Sequence, residues 1–312
     1  MKLKALSFAF AAVLSLSACS VPEPVVSPSP EPFEGITIVS STNVWGNIAQ
    51  SVGGDLVQVV SIIDSFSQDP HSYEASARDQ LSVNGADLII ANGGGYDSFM
   101  DTLAQAAGND AIVYAYLPDE LDDAAKEDEQ REAGHAHTHG NEHVWYDFHA
   151  VEDFASRLAG ALAALDPENS IEYSDNLVDF LTGIEIVEDR VAELSVNLDE
   201  TTVITSEPVA DYLLTEFGFE DLTPQSFSQA IEEELDVSPK DLLEIQQLIK
   251  TGAVDLFVVN VQTGSVQIDA LIALAIENDV AIVEVSELLP AEISYAEWMD
   301  NTISAIEQGL RK

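Results

Sequence analysis

The run DPENSIEYSDNLVDFLTGIEIVEDRVAELSVNL, residues 166–198, decides how the chain is organised. After Pro167 it contains no proline and a single glycine, Gly183. Asp166 is a residue type that caps helix N-termini, and Pro167 fits the first helical position. A helix of about 30 residues is about 45 Å long, more than a crossover between neighbouring strands needs. The segment therefore reads as a rigid strut with a separate body on either side.

Both flanks alternate β-rich runs with helical patterns. Strands are expected at 36–40, 57–63, 87–92 and 112–116 before the strut, and at 202–205, 255–260 and 281–285 after it. Helices are expected between them, at 44–52, 150–165, 239–250 and 268–278. Such alternation predicts βαβ units and an α/β fold of two lobes with mainly parallel sheets, joined by one long rigid helix. The lobes are expected at 35–165 and 199–312. The hexapeptides Asp-Leu-Ile-Ile-Ala-Asn (87–92) and Asp-Leu-Phe-Val-Val-Asn (255–260) are built alike, a hint of related lobes too short to establish a repeat.

The first 18 residues read as a secretory signal: Lys2 and Lys4 precede an apolar run at 5–16, too short to span a bilayer. Leu16-Ser17-Ala18-Cys19 looks like a bacterial lipobox, which implies cleavage before Cys19 and lipid on its thiol. Cys19 is the one cysteine of the chain, so disulfides within it are excluded. Residues 19–34 carry prolines at 22, 24, 28, 30 and 32 and are expected to be an extended tether that holds a folded body off the membrane.

The chain carries 56 Asp and Glu against 11 Lys and Arg, a formal charge of −45. Nucleic acid would be repelled by that surface. Cation capture, solubility and a saline habitat all suit it. An insert at 119–142 begins with eight acids and two bases in 119–134 and continues into Gly-His-Ala-His-Thr-His-Gly (134–140), a composition expected of a surface loop. Glu232-Glu233-Glu234 is likewise expected on a solvated face.

Six histidines are present, at 71, 135, 137, 139, 143 and 149. His71 follows Pro70, which stiffens its loop. His143 stands beside Val144 and Trp145, and reads equally as a core imidazole or as a ligand oriented by a carboxylate or carbonyl, with Asp147 available for that role. No His-Glu-x-x-His helix, Gly-x-Ser-x-Gly elbow or phosphate loop occurs, since Gly93-Gly94-Gly95 has no Lys-Ser/Thr after it. An enzyme is therefore not expected.

Asp-Pro-His-Ser-Tyr-Glu-Ala-Ser (69–76), Ala-Asp-Leu-Ile-Ile-Ala-Asn-Gly (86–93) with Gly95-Tyr96, and His-Val-Trp-Tyr-Asp (143–147) occur in this order. Together with the lipobox they resemble the zinc/manganese-binding solute-binding lipoproteins of bacterial ABC importers, over about residues 35–305. The resemblance implies a metal in the cleft between the lobes, bound by two side chains from each. His71 and His143 match the first two ligand positions. Glu207, in Thr-Ser-Glu-Pro-Val-Ala-Asp-Tyr (205–212), stands where zinc-type members commonly have His and manganese-type members Glu. Glu287 matches the fourth, with Glu284, Asn260 and Gln262 as neighbours that also fit the cleft. Ala75, Glu142 and Phe148 depart from the family by standing where proline is common.

The resemblance further implies an ABC permease and its ATPase as partners, a monomer, and placement on the outer face of a bacterial membrane through lipid on Cys19. Zn²⁺ is the expected cargo, from the His135, His137 and His139 tract, with Mn²⁺ as the alternative favoured by Glu207. A surface adhesin is the alternative of a different class.

Overall fold

The computed structural model describes residues 33–117, 140–198, 200–233 and 235–311. Cys19, the tether, most of the acidic insert and His135, His137 and His139 lie outside the described residues.

Two four-stranded parallel sheets are present among them. The first contains β1 (Ile36–Thr42), β2 (Val57–Ile63), β3 (Leu88–Ala91) and β4 (Ile112–Tyr114), in the order β2-β1-β3-β4. The second contains β5 (Thr202–Thr205), β6 (Glu220–Asp221), β7 (Leu256–Asn260) and β8 (Ala281–Val285), in the order β6-β5-β7-β8. The strand order is the same in both. The two similar hexapeptides supply the third strand of each sheet, and Asp87 and Asp255 do the same job. Each accepts a hydrogen bond from a backbone N–H in the first two residues of the neighbouring strand, Thr37 at 2.8 Å and Thr202 at 3.2 Å. The sequence pattern missed β6, whose two exposed acidic residues carry no alternation.

The connecting helices are α1 (Asn43–Gly53), α2 (Ala77–Asn84), α3 (Phe99–Ala107), α4 (Phe148–Leu165), α5 (Ser170–Ser195), α6 (Asp211–Glu216), α7 (Gln225–Glu232), α8 (Pro239–Thr251), α9 (Val266–Glu277) and α10 (Tyr295–Leu310). The strut is α5, 26 residues long and preceded by a 3₁₀ turn at Pro167–Asn169. Asp166 does not cap a backbone N–H. Its Oδ2 accepts from Asn169 Nδ2 at 2.7 Å and from the Tyr173 hydroxyl at 3.1 Å, so the α-helix begins later than the Asp-Pro signal suggests.

Strand side chains alternate between two layers, as a period of two requires. Ile38, Leu88, Ile90, Val203, Leu256 and Val258 face one continuous apolar cluster. Val39, Ile89 and Ala91 face a second under α2 and α3, while Ile204, Phe257 and Val259 face a third under α7, α8 and α9. The first cluster belongs to both lobes. It takes Trp45 and Ile48 from α1, Phe154 and Leu158 from α4, Ile184, Val187 and Val191 from α5, and Trp298, Met299 and Ile303 from α10. Helix α1 comes close enough to its sheet that a Cβ on Gly46 would lie 2.3 Å from Ser61 Oγ and 2.8 Å from Ser40 Oγ.

Buried polar groups fasten the lobes across this layer. The Tyr295 hydroxyl donates to Trp145 O at 2.6 Å, and the Tyr146 hydroxyl to Ser286 O at 3.0 Å. Asn43 donates to Leu289 O at 2.8 Å and accepts from Leu289 N at 3.0 Å. Because one core serves both sheets, urea should unfold the protein in a single transition, with tryptophan fluorescence and far-UV circular dichroism coincident. Tyr295→Phe should lower its stability by roughly 1–3 kcal/mol through the orphaned Trp145 carbonyl. Two resolved transitions would show that the lobes fold independently.

Candidate metal centre

The four side chains singled out by the sequence all leave carboxyl ends of parallel strands or the loops beyond them, where α/β sheets bind ligands. His71 lies between β2 and α2, and His143 just before a 3₁₀ turn at Val144–Tyr146 that enters α4. Glu207 follows β5 by two residues, and Glu287 follows β8 by two.

Three of them converge directly. His71, His143 and Glu287 each present a ligand-type atom, and these atoms lie within 4.8 Å of one another. His71 Nε2 is 3.9 Å from Glu287 Oε2. Its loop is shaped by Asp69, whose Oδ1 accepts from His71 N at 3.0 Å and whose Oδ2 accepts from Ser72 Oγ at 2.6 Å.

His143 is buried and held in one tautomer. Asn141 Nδ2 donates to Pro208 O at 2.7 Å, which fixes the amide with Oδ1 toward the imidazole. That oxygen accepts from His143 N at 3.0 Å and lies 2.6 Å from His143 Nδ1. The proton therefore sits on Nδ1, and Nε2 offers its lone pair to the cleft. Nε2 is buried with no hydrogen-bond partner. Burial, and then the neighbouring His71, push the His143 pKa down to about 3, so the ring is neutral at ordinary pH. The orienting group is thus Asn141, held by the second lobe, whereas Asp147 Oδ1 caps α4 by accepting from Ala150 N at 3.1 Å.

Glu207 and Glu287 are each 4% exposed. Asn260 links them, its Nδ2 lying 2.5 Å from Glu207 Oε2, 2.8 Å from Glu287 Oε1 and 3.0 Å from Thr263 Oγ1. Two amide hydrogens cannot serve three acceptors at once. The Tyr96 hydroxyl serves Glu287 Oε2 at 2.9 Å, but Glu207 Oε1 is buried without a partner. Burial is the chief cause that raises both carboxyls, Glu207 to about 7. The pair is short of positive charge, which a divalent cation would supply.

The neighbours of Glu287 have other places. Gln262 Oε1 accepts from the backbone N–H groups of Glu287 and Leu288, at 2.8 and 2.9 Å, and so shapes the loop. Glu284 is exposed on β8. Gly93, Gly94 and Gly95 all have positive φ and form a turn closed by Asp97, which accepts from Asn92 N at 2.6 Å and Gly93 N at 2.9 Å. That turn delivers Tyr96 to Glu287.

Glu232 corrects the reading of 232–234 as a wholly solvated face. Glu233 is exposed and Glu234 lies outside the described residues, but Glu232 Oε1 is buried without a hydrogen-bond partner, 3.7 Å from His143 Nε2. Helix α7 is anchored by Phe227 and Ile231, one turn apart. The next residue therefore points off that face, into the cleft. Burial and then the acids around it push its carboxyl up to about 8.

Comparison with known proteins bears on the family and the fold. The model of a family described as the periplasmic zinc-uptake complex component A, ZnuA, matches residues 38–309. The chain is 25% identical over 265 residues to the manganese ABC transporter substrate-binding lipoprotein PsaA of Streptococcus anginosus, covering 82% of this chain and 81% of that protein. In fold it is similar to a mutant of the laminin-binding adhesin Lmb of Streptococcus agalactiae, with a TM-score of 0.70 at 20% identity over 89% of this chain and 100% of that one. It is also similar in fold to a crystal structure of ZnuA, with a TM-score of 0.67 at 18% identity over 88% of this chain and 98% of that one.

The raised carboxyls set a pH dependence for the metal-free protein. A carboxyl whose folded pKa lies above its unfolded value stabilises the fold fully below the unfolded value, near 4.5, and loses that contribution as pH rises through the folded one. For Glu207 the window is therefore about pH 4.5 to 7. Urea unfolding in chelator should show stability falling from pH 5 to 8. Glu207→Gln should flatten that fall, with a gain over wild type that reaches roughly 2–3 kcal/mol at the alkaline end. Parallel pH curves for the two proteins would disprove the strained-carboxylate account.

Proposed function

The chain belongs to the ZnuA family of periplasmic zinc-uptake components, and we propose that it captures a divalent transition metal outside the cytoplasm and hands it to an ABC importer. In this reading His71, His143, Glu207 and Glu287 are the metal ligands. The observation that carries it is the convergence of two histidines and a carboxylate around a buried His143 Nε2 that no protein group satisfies. Two neutral imidazoles and two carboxylates give zero net charge with a divalent ion, a sound balance for a site withdrawn from water.

Zn²⁺ is the cargo we favour. It accepts nitrogen and oxygen donors tetrahedrally, and mixed sites of this kind hold it more tightly than Mn²⁺. Manganese is the second reading, supported by the carboxylate at Glu207 and by the manganese-transporter name of the relative from Streptococcus anginosus. Four protein ligands leave no open position for an activated water, in keeping with a binding protein rather than an enzyme. The lobes share their core, so loading needs loop adjustments and small tilts rather than a wide hinge.

The lipobox reading places the mature protein on the outer face of the membrane through lipid on Cys19, with a permease and its ATPase as partners. Cys19→Ser should then release it from the membrane fraction on cell fractionation, and retention there would remove the anchor assignment.

Calorimetric titration of metal-stripped protein tests the rest. A one-to-one site is expected that prefers Zn²⁺ when the two ions compete, and preference for Mn²⁺ would select the second reading. His143→Ala should weaken binding by about 100-fold or more while circular dichroism stays native. Wild-type affinity in that variant would sink the ligand assignment.

A further inference from the structure

Beside the inner group lies a second one. His71, Glu142 and Glu232 also present ligand-type atoms within 4.8 Å of one another. His71 belongs to both, because its Nε2 faces Glu287 and its Nδ1 is 4.0 Å from Glu142 Oε1. Side-chain exposure separates the two groups. His71, Glu142 and Glu232 are 27%, 23% and 20% exposed, against 1% for His143 and 6% for Glu287. The second group therefore forms the rim of the cleft, and the first its floor.

A separate observation ties the rim to a cation. His143, almost wholly buried, aims its unpartnered Nε2 at Glu232 Oε1, which is also buried and unpartnered, at 3.7 Å. A lone pair facing a carboxylate oxygen at that distance is not a hydrogen bond. Neither atom is satisfied by the protein, whereas a cation passing between them would engage both in turn.

We propose that Glu142, Glu232 and the Nδ1 face of His71 form an entry site that holds the divalent cation before it reaches the inner ligands. This rests on the reading of the inner group as the metal centre. An aqueous divalent ion must shed its water shell to enter, and the rim lets it exchange waters for protein donors a few at a time. Glu142 and Glu232 bind first. Glu232 then spans the step to His143 Nε2, where the inner ligands take the ion.

A residue that serves only the path lowers the barrier in both directions and leaves the end states alone. Stopped-flow association and chelator-driven dissociation of Zn²⁺, with the full chain as wild type, Glu142→Gln and Glu232→Gln, read this directly. Each variant should slow association and dissociation together, by roughly fivefold or more, with Kd within about twofold of wild type. The slowing should persist in high salt, which suppresses general electrostatic steering. Faster dissociation with weaker Kd would make these groups inner ligands and overturn the entry site, as would unchanged rates. Glu142 sits on a partly exposed loop, so Glu142→Gln carries the test alone if Glu232→Gln disturbs the fold. A wild-type chain with no tight site would instead overturn the functional reading, and the entry site with it.

Discussion

A single apolar layer lies between the two sheets, and the geometry of the cleft depends on it. Side chains from two lobes have to meet within a few ångströms, and a loosely hinged pair of bodies would not hold them there. Tyr173, Ile184, Val187 and Val191 of the strut pack into the same cluster as Trp45, Phe154, Trp298 and Ile303, so separating the lobes would expose large aromatic surfaces. Each such ring is worth about 2–3 kcal/mol of burial, a strong restoring force against opening. The polar fasteners lie in the same layer: Tyr146 and Tyr295 reach across it to the carbonyls of Ser286 and Trp145, within two residues of Glu287 and His143.

Within that rigid frame, acids carry a cost that surface acids do not. Most of the chain's 56 carboxylates can be solvated, and their number says little about function. Glu207 and Glu287 are different because water is withdrawn from them and one overcommitted amide links them. The charges that act on Glu287, Glu207 and Glu232 include further acids, Asp69, Asp211 and Glu142, together with one imidazole, His71. A fold retains so unfavourable a cluster where an external positive charge relieves it.

The sequence made some of this plain and hid the rest for physical reasons. Buried parallel strands read as short apolar runs, so Val57–Ile63, Thr202–Thr205 and Ala281–Val285 stood out, while the two acidic residues of β6 had no pattern to show. The motifs around His71 and His143 marked a candidate site because several of their features occurred together. Glu232 was invisible in a run of three acids, since only the rotation of a short helix about Phe227 and Ile231 sends one of them inward. Asn141 was equally hidden. Its role depends on Pro208, 67 residues away, and no local spacing reports a contact that the docking of two lobes creates.

The two sheets share a strand order but divide the chemistry unequally. Asn92 and Asn260 lie at the carboxyl ends of β3 and β7, equivalent strands in the two sheets. Asn92 is spent on structure, accepting from Trp45 Nε1 at 3.1 Å and donating to Glu142 O at 3.0 Å, while Asn260 holds the two carboxylates. In the proposed site the first lobe contributes two imidazoles, of which His143 is buried and neutral without a metal. The second contributes the carboxylates, which are costly until a cation arrives. Most of the electrostatic gain on loading such a site would therefore fall on the second lobe, while the first would supply directed lone pairs, one of them aimed by an amide that the second lobe itself holds. In the proposed site orientation and charge thus come from opposite sides of the cleft, and a cation would gain both where the lobes meet.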